Sequence, residues 1–75
     1  MTKTYNGHKN YNYWNVSLWL GNDEGFYRFA LECKRNNKNS RDAAAEFIAG
    51  VGADKTPDGE KYTISNVMAA LNGLE

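Results

Sequence analysis

Residues 22–35 read NDEGFYRFALECKR and carry the clearest structural signal of this 75-residue chain. Apolar side chains recur there at the spacing of one helix face: Phe26, Phe29, Ala30 and Cys33. Acidic residues open the stretch, and Lys34 and Arg35 close it, as the helix dipole favours. Asn22 is a suitable N-cap. The pattern predicts an amphipathic helix over residues 23–35.

The same kind of pattern recurs twice downstream. Ser40 and Thr63 are suitable N-caps, and apolar residues follow each at helical spacing. We therefore predict helices over residues 41–50 and 64–72. Between them, the residues Thr56-Pro57-Asp58-Gly59 fit a type I turn, with Pro at its second position and Gly at its fourth.

Residues 11–20 fit two structures. Tyr11, Trp14 and Leu18 follow helical spacing, and Asn10 or Asn12 can cap such a helix. The same residues also alternate between apolar and polar side chains and are rich in aromatic residues, as in a strand. We favour a helix, because the other predicted elements are helical and a lone strand has no partner to pair with.

The predicted fold is an all-α bundle of about four short helices, over residues 11–20, 23–35, 41–50 and 64–72. With 75 residues, 41% of them hydrophobic, the chain can form one small core. We expect one helical domain over residues 11–75, preceded by a polar arm over residues 1–10. No apolar run is long enough to span a membrane, so we expect no membrane partner.

The charges are unevenly distributed although nine basic residues balance nine acidic ones. Residues 34–41 contribute a net charge of +4 and residues 42–60 a net charge of −4. The four cations of the first block are Lys34, Arg35, Lys38 and Arg41. They are either a solvated surface or a site for an anionic partner.

The residues offer little for catalysis. One Cys and one His cannot form a structural zinc site, and no glycine-rich phosphate loop opens a helix. Cys33 lies on the apolar face of its predicted helix, which indicates a buried, inert thiol. We expect no enzyme activity, no cofactor and no metal.

Specific DNA recognition is also not expected. The last predicted helix carries no Lys or Arg, and its connection to the preceding helix is longer than a helix-turn-helix allows. Weak, salt-sensitive binding to single-stranded nucleic acid stays open, because the cations of residues 34–41 could contact a few phosphates.

Aromatic residues crowd the first third of the chain, where Tyr5, Tyr11, Tyr13, Trp14 and Trp19 fall within 15 residues. Tyr11, Trp14 and Trp19 either form the core of the bundle or anchor a partner, as Tyr and Trp often do. Tyr5 and Tyr13 are expected near the surface in both cases. Our candidate partner-binding residues are therefore Tyr5, Tyr13, Trp19, Lys34, Arg35, Lys38 and Arg41.

Two sequence blocks resemble those of a small family of uncharacterised proteins from bacteriophages, plasmids and bacteria. The first is YWNVSLWLGNDEGFY at residues 13–27, and the second is TPDGEKYT at residues 56–63, followed by Val67 and Ala70-Leu71. No activity is established for that family. The resemblance implies only that the protein is encoded by a mobile genetic element.

These observations lead to an expected function. We expect a small non-enzymatic protein that occupies a surface of a host macromolecule in a bacterial cytoplasm, as an inhibitor of host defence or in host takeover. The partner is expected to be a host protein or a second copy of the chain. The alternatives are a weak single-strand or RNA-binding module and a structural homo-oligomeric subunit.

Overall fold

The computed structural model describes residues 10–74, which fold into four α-helices. They are α1 (Tyr11–Asn22), α2 (Glu24–Asn36), α3 (Ser40–Gly50) and α4 (Ile64–Asn72). The predicted all-α fold is confirmed, with no strand within residues 10–74. The strand alternative for residues 11–20 is wrong. Residues 1–9 of the predicted arm lie outside the described residues, as does Glu75, and Asn10 is the N-cap of α1.

Each helix begins at a side-chain cap that accepts a hydrogen bond from a backbone N–H three residues later. The caps are Asn10, Asp23, Asn39 and Thr63. The predicted caps Asn22 and Ser40 are each one residue off, because Asn22 is the last residue of α1 and Ser40 the first of α3. Extended backbone dihedrals at Asp23 and Asn39 bring their side-chain oxygens back to the first turn.

The helices pack around a core centred on Phe47 of α3. Helix α4 makes its most extensive contacts with α3 and α1, and α2 packs mainly against α1 and α3. The ring of Phe47 contacts three other rings, at centroid distances of 6.4 Å to Phe26, 5.3 Å to Phe29 and 5.8 Å to Tyr62. Small and aliphatic side chains fill the rest of the core: Val16, Leu20, Ala30, Cys33, Ala43, Ala44, Val67, Ala70 and Leu71.

The fully buried residues of helix α1 are not the aromatic ones that the sequence suggested. Its buried residues are Asn15, Val16 and Leu20, whereas Tyr11 is 40% exposed and Trp14 is half-buried. A core built on Tyr11, Trp14 and Trp19 is therefore wrong. The reason is that the connection between α3 and α4, residues 51–63, hydrogen-bonds to α1 and covers the face that carries Asn15.

The predicted turn in that connection forms. The backbone N–H of Gly59 donates to the carbonyl of Thr56 at 2.8 Å, and Gly59 has a φ of +93°. The backbone N–H of Thr56 donates to the carbonyl of Glu60, also at 2.8 Å. A type I turn followed by a left-handed residue suits Gly, because other residues are strained there. This turn brings Asp58 and Glu60 against α1.

Candidate partner-binding surface

Three of the four clustered cations lie exposed where α2 ends and α3 begins. Arg35 is in the last turn of α2, Lys38 is in the connection, and Arg41 is in the first turn of α3. Their side chains make no hydrogen bond or ion pair within residues 10–74. We call Arg35, Lys38 and Arg41 the basic surface. It presents three cations that no described acidic group neutralises by direct contact.

Asparagines hold the backbone on both sides of Lys38. The Nδ2 of Asn37 donates to the carbonyl of Cys33 at 2.8 Å and to Glu46 at 2.7 Å. The Oδ1 of Asn39 accepts from the backbone N–H of Asp42 at 2.8 Å, which caps α3. Lys38 is therefore displayed on a short connection whose two neighbours are tied to helices.

Lys34 differs from the other cations of its block. Its side chain is half-buried, and its Nζ donates to the backbone carbonyl of Leu74 at 3.1 Å. That bond links the end of α2 to the segment that follows α4. Lys34 therefore has a part in the fold that Arg35, Lys38 and Arg41 do not share.

A groove lies beside the basic surface, with a cavity volume of about 140 Å³. It is lined by Lys34, Asn37, Lys38, Asn39, Ser40 and Ala43. Acidic side chains border it, because Asp42 accepts from Asn39 at 3.3 Å and Glu46 accepts from Asn37. The lining therefore combines two lysines with three uncharged polar residues and one alanine, and two carboxylates lie at its border.

Of the predicted aromatic contact residues, Trp19 lies away from this surface. Tyr5 lies outside the described residues, and Tyr13 is half-buried on α1. The ring of Trp19 packs edge-on against Phe26 at a centroid distance of 6.2 Å. Phe26 is in the first turn of α2, about 13 Å along the helix axis from the level of Arg35. The structure therefore separates Trp19 from the basic surface.

Trp19 instead lies at the corner between α1 and α2. Together with Leu18, Asn22 and Asp23 it lines a cavity of about 220 Å³. Its indole Nε1 donates to Oδ2 of Asp58 at 2.9 Å. The polar end of the ring is thus engaged within the chain.

A polar network between the 51–63 connection and α1 was missed by the sequence analysis. Asn15 is fully buried; its Oδ1 accepts from the hydroxyl of Thr56 at 2.7 Å, and its Nδ2 donates to Asp58 at 2.8 Å. The hydrogen bonds from Asn15 and Trp19 stabilise the carboxylate and lower the pKa of Asp58. A buried amide with both ends satisfied carries little penalty for its burial.

The network continues toward α4. The Nδ2 of Asn12 donates to Glu60 at 3.1 Å and to the carbonyl of Lys61 at 3.2 Å. The Nδ2 of Asn66, also fully buried, donates to Oδ1 of Asn12 at 2.6 Å. Asn66 in addition forms a capping box with Thr63. Three parts of the chain, α1, the connection and α4, therefore meet through side-chain amides.

One signal in the sequence could have revealed this network. Asn12, Asn15 and Trp19 fall at positions i, i+3 and i+7, so their side chains share one helix face. These side chains can all donate hydrogen bonds, and they recur at the spacing of one helix face. Such a pattern indicates that this face of the helix packs against polar groups. The two blocks that carry the family resemblance supply most of its members, and the structure brings those blocks into contact.

The remaining reactive group is buried. Cys33 is fully buried on α2, and desolvation, followed by the negative charge of Glu46, raises the pKa of its thiol to about 11. Within residues 10–74, no three His, Cys, Asp or Glu side chains are grouped so that they could hold a metal ion. No helix in that part of the chain has both the length and the apolar character needed to cross a bilayer.

Comparison with known proteins assigns the chain to a family. No curated protein and no solved structure matches the chain significantly. The sequence model of a family of unknown function, DUF7249, matches residues 1–72, which include all four helices. The match agrees with the resemblance to an uncharacterised family, and the chain belongs to the DUF7249 family of unknown function.

Proposed function

We propose that this protein is a small non-enzymatic binding protein whose basic surface contacts a protein partner. The observation that carries the proposal is the exposure of Arg35, Lys38 and Arg41 without a side-chain partner within residues 10–74. Such cations retain their full charge for an incoming anionic group. Charge complementarity of this kind directs association and sets specificity between proteins.

We do not propose catalysis, because the candidate reactive side chains are buried or bonded to other side chains of the protein. The thiol of Cys33 is buried, and its raised pKa of about 11 opposes the thiolate form that a nucleophile needs. The carboxylate of Asp58 is held by two hydrogen bonds to α1. Glu24 is paired with Arg28 at 2.6 Å on the exposed side of α2.

We assign the contact to fewer residues than the sequence suggested. The indole N–H of Trp19 and the ammonium of Lys34 are engaged within the chain. Substituting either would disturb the fold as well as any binding. The proposed contact therefore centres on Arg35, Lys38 and Arg41.

The biological setting is a separate part of the proposal. The resemblance to proteins of bacteriophages and plasmids supports a mobile-element gene whose product acts in the cytoplasm of a bacterial host. There the protein would occupy a surface of a host protein, in counter-defence or in host takeover. This part rests on the resemblance alone.

A capture experiment with matched variants tests the proposal. The tagged protein is incubated with lysate of the bacterium that carries the gene, and retained proteins are quantified by mass spectrometry. The double variant R35Q/K38Q removes two charges of the basic surface. The control K55Q/K61Q removes two exposed cations of the 51–63 connection. Each of the two double variants removes two positive charges, so the two have the same net charge.

We expect a partner that the wild type and K55Q/K61Q retain and that R35Q/K38Q loses. The melting temperature of R35Q/K38Q should stay close to that of the wild type, because neither side chain makes a hydrogen bond or an ion pair within residues 10–74. Identical retained proteins for all three forms would contradict the proposal.

A further inference from the structure

We infer that the groove beside the basic surface receives a carboxylate side chain from an acidic segment of the partner protein. The inference rests on the proposed function and deepens it, since it names the chemistry of the partner. Lys34 and Lys38 line the groove, and their ammonium groups are the donors that a carboxylate would meet.

The shape and lining of the groove favour a small anionic group. Its cavity volume of about 140 Å³ has room for a carboxylate. The bond from Lys34 to the carbonyl of Leu74 uses one of its three N–H donors, so two are left. Because Asn37 and Asn39 are tied to the helices on either side, Lys38 is held near the groove before a partner arrives.

The surroundings of the groove disfavour nucleic acid. None of the six lining residues is aromatic, so the groove offers no ring for a base to stack on. The acidic side chains of Asp42 and Glu46 hydrogen-bond to the lining amides, and they would repel a chain of phosphates laid along this surface. An isolated carboxylate avoids that repulsion more easily than a regularly charged backbone.

The acidic block of a second copy, residues 42–60, is also a poor occupant, because four of its five carboxylates accept hydrogen bonds within the chain and only Asp54 makes none within residues 10–74. Asp58 accepts hydrogen bonds from Asn15 and Trp19, and Glu60 accepts one from Asn12. These carboxylates would have to leave α1 before they could enter the groove of another copy. A different protein with a free acidic segment is therefore the better candidate.

Fluorescence anisotropy at low salt tests this inference. The probes are a labelled peptide of Gly and Ser with one central Glu, the same peptide with Gln in place of that Glu, and an oligothymidylate of the same length. The variants K38Q and R41Q each remove one exposed cation, but only Lys38 lines the groove. The variant K55Q removes one cation from the 51–63 connection as a control.

We expect the Glu peptide to bind more tightly than the other two probes. K38Q should weaken its binding by about tenfold, the loss of one charge-assisted hydrogen bond, and R41Q by only a fewfold. K55Q should bind as the wild type does. Amide resonances of Ser40 and Ala43 should shift on addition of the Glu peptide.

Other outcomes would overturn the inference and separate it from the proposed function. Equal weakening by K38Q and R41Q would leave the basic surface as a binding site but remove the groove. Binding of the oligothymidylate as tight as that of the Glu peptide would favour nucleic acid instead. Failure of all three probes to bind, together with unchanged capture of a partner by R35Q/K38Q, would remove both proposals.

Discussion

The carboxylate of Asp58 connects two distant parts of the chain. It accepts hydrogen bonds from Asn15 at 2.8 Å and from Trp19 at 2.9 Å, and both donors lie on α1. In the sequence Asp58 reads as the third residue of a turn over residues 56–59, and the hydrogen bond that closes this turn is present. The turn was predictable because it depends on neighbouring residues, whereas the contact with α1 depends on tertiary packing.

The lowered pKa of Asp58 predicts an acid-sensitive contribution to stability. The folded state holds the carboxylate more strongly than the unfolded state does, so this contribution is full above the unfolded pKa of about 3.9. It is lost as the pH falls through the lower folded pKa. The difference in melting temperature between wild type and D58N should therefore shrink from pH 7 to pH 3.

The control for that measurement is D54N. Asp54 is exposed, and its side chain makes no hydrogen bond within residues 10–74. The difference in melting temperature between wild type and D54N should change less with pH than the difference between wild type and D58N. A difference between wild type and D58N that is constant from pH 7 to pH 3 would show that the Asp58 carboxylate does not hold the loop.

Cys33 should react slowly with thiol reagents in the folded protein. Its pKa of about 11 is two units above the ordinary value of 9.0, which corresponds to about a hundredfold less thiolate near neutral pH. Burial slows the reaction further. We therefore expect alkylation by iodoacetamide at pH 8 to be at least about 100-fold faster in denaturant, as followed by mass spectrometry. Equal rates in the two conditions would place the thiol at the surface.

At the level of helices, sequence patterns within each segment predicted where each helix lies in the chain, but they did not predict which residues of α1 are buried. Helix α2 was predictable because its apolar stripe and its terminal charges lie within one segment. The buried face of α1 was not, because Thr56 and Asp58, which lie far along the chain, satisfy Asn15. The positions of Lys38 and Arg41 at an exposed corner followed from the predicted break between helices, whereas the bond from Lys34 to Leu74 did not.

The N-cap of α3 is Asn39 and not the predicted Ser40, and this assignment can be tested by substitution. The variant N39A removes the side chain that accepts from the backbone N–H of Asp42, and it should lower the free energy of unfolding by about 1 kcal/mol. The control N36A replaces an exposed residue whose side chain makes no hydrogen bond within residues 10–74, and it should change stability by less than about 0.5 kcal/mol. Urea denaturation measures both. Equal stability of N39A and N36A would mean that Asn39 does not cap the helix.

At the level of the whole molecule, the fold and the proposed contact use different side chains. The amide network fixes the 51–63 connection and α4 onto α1. The basic surface lies at the junction of α2 and α3 and takes no part in that network. In so small a domain, this separation lets surface residues change without loss of the core.

Truncation of Asn15 should destabilise the whole domain. The variant N15A leaves the buried hydroxyl of Thr56 without its acceptor and removes one of the two hydrogen bonds to Asp58, and we expect the unsatisfied hydroxyl to cost about 1–3 kcal/mol. In a domain of this size that corresponds to a fall of about 5–20 °C in melting temperature. The control S17A replaces a side chain on the same helix that makes no hydrogen bond within residues 10–74. A melting temperature for N15A equal to that of S17A would show that the network does not stabilise the fold.

The most direct test of the central claim, that the basic surface binds a partner without holding the fold, combines partner capture with melting for R35Q/K38Q. We predict that this variant melts within about 3 °C of the wild type. We also predict at least about tenfold less partner captured at a temperature where both proteins are folded. Capture equal to that of the wild type would show that the basic surface does not bind the partner.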